Sequence, residues 1–171
     1  MRSFREFVKR DEVHCLEAAV GAAVILEQHG YPPLLLDLMS QDLLDHVIFV
    51  FKEETGWGSI ARSRDIGLHG RKPVFRSLRD LAWSYFEPYV DFTGRLKGYG
   101  LTNLYELGNY DWRFSPRKMT KIEDHLRAIP HKALKSSDRR YETLLARYHN
   151  YKKRYPDRSP GYYDGRAKWM L

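Results

Sequence analysis

Cysteine is nearly absent from this sequence: Cys15 is the only one in 171 residues. One thiol excludes an internal disulfide and a multi-cysteine zinc site, and it fits a reducing, cytoplasmic setting. Long apolar runs are missing too. None approaches the ~20 residues that span a bilayer, so no membrane partner is expected. The opening MRSFREFVKRDEVH is charged throughout and lacks the apolar stretch of a secretory signal. No internal repeat or low-complexity tract occurs, which sets aside solenoid and fibrous architectures. The seven histidines show neither the i, i+4 nor the HExxH spacing that brings two ligands to one helix face, so no metal is expected.

What is present suits a soluble globular chain, with 43% hydrophobic and 30% charged residues. Its length fits one domain. The net charge of +7 is uneven: residues 115–171 hold fifteen Lys/Arg against six Asp/Glu, and everything before them is slightly acidic. The expected organisation is a core over residues 1–114 and a basic, mainly helical extension over 115–171, packed on that core. A basic segment can attract nucleic acid. Its charges are also diluted among apolar positions of helical period, as on a solvated helix face. Tyr141, Tyr148, Tyr151 and Tyr155, interleaved with Arg and Lys, read either as a stacking surface for single strands or as the stripe that packs the last helix.

A helix is predicted from about Asp11 to His29, with Leu16, Ala19, Val20, Ala23, Ile25 and Leu26 at spacings of three and four. Asp11 and Glu12 suit the positive end of its dipole, and Gly30 with Pro32-Pro33 ends it. A short apolar run, Leu34–Met39, follows. HVIFVF from His46 to Phe51 reads as a buried strand, and Trp57–Arg62 as its hairpin partner across a turn at Lys52–Gly56. Pairing across that turn sets His46 opposite about Arg62. Arg64–Pro73 reads as loop. Ser77 opens a helix to Phe86, and Tyr89–Asn109, with four glycines, reads as loop and short strands. Ser115-Pro116 starts a helix that ends before Pro130, and Ser137 starts another that runs to about Tyr155. In the Gly67–Tyr89 stretch, Arg71, Arg76 and Arg79 are candidates to fix an anionic substrate group. Trp83, Tyr85 and Phe86 read as core.

The chemistry concentrates on Cys15, in the first turn of the first helix. Free N–H groups and the dipole at a helix start stabilise a thiolate, and the same N–H groups can receive a developing oxyanion. A nucleophilic cysteine needs a base and a group to orient that base. His46 opens the buried strand 31 residues later, and Asp65 follows 19 residues beyond. Asp37, Asp42 and Asp45 compete with Asp65 for the third place.

The segments HCLEAAVGAAVILEQHGYP, DHVIFVF and WGSIARSRD, in that order, resemble the transglutaminase-like superfamily over about Glu12 to Asp65. That family carries a papain-type cysteine, histidine, aspartate order. The resemblance implies an α+β fold, with an N-terminal helix packed on a small antiparallel sheet and further helices after it. It implies a Cys15, His46, Asp65 triad without cofactor or metal. The implied activity is acyl transfer on a peptide, a protein or a small amide or ester, as hydrolase or transamidase. No glutamine precedes Cys15, and Val13-His14 stand where the family's active members carry a glycine. A non-catalytic binding or scaffold member is therefore the alternative, and a nucleic-acid-associated protein using the basic last third is another.

Overall fold

The computed structural model describes residues 13–91, 94–115 and 119–171. Asp11, Glu12 and Pro116, singled out above as helix-start residues, lie outside them. The architecture is α+β, with one antiparallel sheet of six strands between two helical layers. In chain order the strands are β1 Leu34–Ser40, β2 His46–Glu53, β3 Gly56–Ile60, β4 Arg71–Phe75, β5 Leu96–Asn103 and β6 Lys132–Ala133. The helices are α1 Cys15–Glu27, α2 Leu78–Ser84, α3 Thr120–Ala128, α4 Asp138–Arg154 and the single turn α5 Arg166–Trp169. The sheet order is β4-β3-β2-β1-β5-β6. The first four strands form a meander, and β5 returns to the free side of β1.

Strands β1 and β2 are near-continuous hydrophobic runs because they are covered on both faces. Leu35, Val47 and Phe49 point to one side, where α1 and α3 pack. Leu36, Leu38, Ile48 and Val50 point to the other, against α2, Leu134 and the tyrosine–leucine face of α4. Helix α1 is buried around most of its circumference, from Leu16 to Val24, because the sheet lies under it and α3 beside it. Ile25, expected in the core, is instead 53% exposed. The helix stops as its sequence dictates, with Gly30 at φ +85° before the two prolines. The serine starts hold as well. Ser77 accepts from the Asp80 N–H and Ser137 from the Arg140 N–H.

Two segments differ from expectation. Arg71–Phe75 is the strand β4 rather than loop. Its proline is tolerated because β4 is the last strand on its side of the sheet. The glycine-containing stretch before Asn103 forms one eight-residue strand, β5, rather than short pieces. Its glycines make room rather than turns. Gly100 pairs with Asp37, and a Cβ there would come within 3.0 Å of Ile129 and His131. His131 thereby reaches over the strand to Asp37, at 3.0 Å. Gly100→Ala is expected to push His131 aside and to cost about 1–3 kcal/mol in urea unfolding. An unchanged midpoint would mean that the ring is free to move.

The segment from residue 115 on does more than pack against a finished core. It supplies β6, Ile122 and Leu126 to one hydrophobic cluster, and Leu134 and Tyr141 to the other. Several of its cations are engaged internally. Arg147 bonds Glu87 and the Tyr162 carbonyl, and Arg140 lies over Trp83. The last residues run back along β4, with Met170 bridging to Arg71, and they cover that edge. Among the described residues no helix is long and apolar enough to cross a membrane.

Candidate active site

A cleft of about 600 Å³ opens where α1 and β2 begin. Cys15 and His46 both line it, as do Arg62, Arg64 and Tyr89. Helix α1 brings Cys15 as its first residue, and the thiol lies against the start of β2. The backbone N–H groups of Val47, Leu16 and Cys15 itself are directed at the sulfur. These donors favour a thiolate, but burial weighs more and pushes the thiol up from its ordinary value. The nearby Asp37 carboxylate adds to the rise. The thiolate-stabilising helix start expected from the sequence is therefore outweighed by desolvation.

His46 is the first residue of β2 and is almost fully buried, on the Ile48 side of the strand. Its Nε2 lies 2.9 Å from the Leu68 carbonyl oxygen. A carbonyl can only accept, so Nε2 carries the proton and Nδ1 holds the free lone pair. Burial lowers the imidazole to about 4, with Arg71 and His69 contributing in the same direction. Among the described residues no hydrogen bond joins His46 to Cys15; the two side chains share the cleft rather than a bond.

Asp65 does not meet His46. It caps the short 3-10 turn Ile66–Leu68, and its carboxylate accepts from the Ser159 hydroxyl at 3.2 Å. The same hydroxyl accepts from the Ile66 N–H at 3.2 Å, tying the turn to the segment after α4. The early end of β3, not the hairpin register, separates the two. Phe49 pairs with Ile60, one position beyond the expected alignment, and β3 ends there. The chain then leaves the sheet before Asp65. The competing aspartates are also committed elsewhere: Asp45 to the Ser40 N–H, Asp42 to the Ser40 hydroxyl, Asp37 to His131. The place beside His46 that an aspartate was expected to fill is held by the Leu68 carbonyl, which no side-chain motif could reveal.

The mouth of the cleft is apolar on one side. Leu44 lines it and is 68% exposed, while its neighbour Leu43, 84% exposed and at φ +63°, lines an adjacent hollow that also reaches Cys15. A bulky residue seldom holds that conformation without a reason outside local preference. Arg62 and Arg64 stand exposed on another side. Arg71, a sequence candidate for binding an anion, is fully buried and faces the interior. No group of three His, Cys, Asp or Glu among the described residues is placed to hold a metal ion. In comparisons with known proteins, no protein-family model matches the chain, and no curated protein matches it.

Proposed function

We propose that the protein is a cysteine-dependent acyl-transfer enzyme of the transglutaminase-like type, an amide or ester hydrolase or a transamidase. The observation that carries this reading is the shared cleft of Cys15 and His46, with His46 Nε2 engaged by Leu68 so that Nδ1 is the basic nitrogen. The Cys15 sulfur attacks the substrate carbonyl, and its proton passes to His46 Nδ1. The N–H groups at the start of α1 receive the oxyanion. Nδ1–H then protonates the leaving amine or alcohol. A water or an amine, deprotonated by the same imidazole, resolves the thioester. The steps call on no cofactor. The exposed Leu44 suits an apolar part of a peptide or small amide or ester substrate, and Arg62 and Arg64 suit negative charge on it. A free thiol kept for this chemistry belongs in a reducing, cytoplasmic setting.

A second reading, a non-catalytic binding or scaffold member of the same fold, is favoured by the ionisation of the pair. With burial raising the thiol and lowering the imidazole to about 4, moving a proton from Cys15 to His46 runs uphill before the new charges attract. Intact-mass spectrometry after mixing with p-nitrophenyl esters decides between the two. An acyl adduct on Cys15 that turns over, and that is absent in Cys15→Ala, supports the enzyme. Full turnover in Cys15→Ala, or no adduct across ester chain lengths, removes it.

A further inference from the structure

We propose that Arg71 is the positioning residue for His46, acting through the loop Gly67–Gly70: its guanidinium grips the carbonyls on either side of Leu68 and so turns the Leu68 carbonyl onto the imidazole. This rests on the reading of His46 as the proton carrier. The Arg71 side chain enters from β4 with no exposure. One terminal nitrogen donates to the His69 carbonyl at 2.6 Å and the other to the Gly67 carbonyl at 2.6 Å. The carbonyl between these two is the one that points away, to His46 Nε2. A planar fork can hold two carbonyls at fixed separation, which an ammonium cannot.

The fork is itself held firmly. Nε donates to the Ser84 hydroxyl at 3.1 Å, which fixes the far side of the guanidinium to α2. The Tyr85 ring lies under it at 3.8 Å and the Trp169 ring of α5 at 4.6 Å. The Tyr85 hydroxyl donates to the His69 carbonyl at 3.0 Å, so that carbonyl is held twice. Gly67 has no room for a side chain, since a Cβ would meet the Tyr163 ring at 2.6 Å. Among the described residues no carboxylate bonds Arg71; its charge is met by carbonyls and rings. A buried cation used in this way is costly unless it organises something. What it organises here is the loop whose Leu68 carbonyl accepts from the His46 ring.

The groups facing His46 are the Leu68 carbonyl, Arg71, His69 and the Tyr85 ring, at 6.0 Å between centroids. Nitrogen-15 NMR of histidine-labelled protein reads its tautomer and its titration directly, with or without a substrate. In the wild type His46 is expected in the Nε2–H form alone, titrating at about 4. Arg71→Lys keeps the charge and loses the fork. It is expected to mix the two tautomers and to lower kcat for ester turnover about 100-fold with KM little changed. Arg71→Gln, which offers two donors without charge, serves the same readout should the lysine variant not fold. A folded variant in which His46 stays a pure Nε2–H tautomer overturns the proposal. A tautomer that shifts in a protein whose Cys15 forms no acyl adduct leaves the positioning intact and removes the enzymatic reading instead.

Discussion

His46→Ala is expected to slow acylation of Cys15 by an activated ester about 10²–10⁴-fold, the usual worth of a positioned base. The same substitution is expected to leave alkylation by iodoacetamide almost unchanged. The two electrophiles ask different questions. Ester attack needs the thiol proton removed as the bond forms, and on the proposed mechanism His46 Nδ1 takes it. Alkylation follows the thiolate already present. Burial has raised that thiol, so its rate at pH 7 should fall below that of free cysteine and keep climbing beyond the pH where free cysteine levels off. His46, at about 4, is neutral across that range and contributes no charge to the profile. Stopped-flow release of p-nitrophenol, with parallel alkylation from pH 6 to 10, separates the cases. Equal acylation by the wild type and His46→Ala would end the role of His46. Alkylation that is fast at pH 6 and slowed by the substitution would instead mean a preformed thiolate–imidazolium pair.

Much of the fold was legible because its elements carry local signals. The alanine-rich period of α1, its Gly30 stop, the HVIFVF strand and the serine starts of α2 and α4 are all written within a few residues of where they act. What was not legible depends on partners distant in the chain. β4 has an unfavourable composition, Arg-Lys-Pro-Val-Phe, and exists because β3 pairs with it on one side and Met170 crosses it on the other. β5 looks like loop because its glycines clear space for His131 and Ile129, residues that come some thirty positions later.

The site divides along the same line. Cys15 and His46 were visible because each begins an element, and those two elements start at the same end of the sheet. Asp65 follows them in order along the chain but not in space, since β3 ends at Ile60 and the 3-10 turn that follows ties Asp65 to Ser159. Its side chain holds the turn that ends in Leu68, so it supports His46 only at a distance. The group that touches the imidazole is a backbone carbonyl, identical in every residue type. Arg71 drew notice as a candidate anion binder, yet it is fully buried. A lone arginine in a short strand gives no sign of which carbonyls it will hold.

Acid should unfold this protein through His46. Above pH 6.5 the imidazole is neutral in both the folded and unfolded chains, and its burial carries no linkage cost. Below 6.5 the unfolded chain binds a proton, while the folded chain, with His46 lowered to about 4, does not. The unfolded state therefore gains stability with each step down in pH, and the gain ends once the folded ring also protonates. Between those limits the loss amounts to about 3 kcal/mol. Asp37 works in the opposite sense, because burial raises its carboxyl and the folded state takes up that proton first. The clean quantity is thus the difference between the wild type and His46→Gln, read as urea midpoints from pH 7 to pH 4. The variant starts lower, having lost the Leu68 bond, but its curve should be flatter by about 3 kcal/mol over that span. Parallel curves would show that His46 takes up its proton in the folded protein as readily as in the unfolded chain. An imidazole that accessible would already be protonated at mildly acidic pH, and acylation of Cys15 would then fall off below pH 6.5 rather than persist towards pH 4.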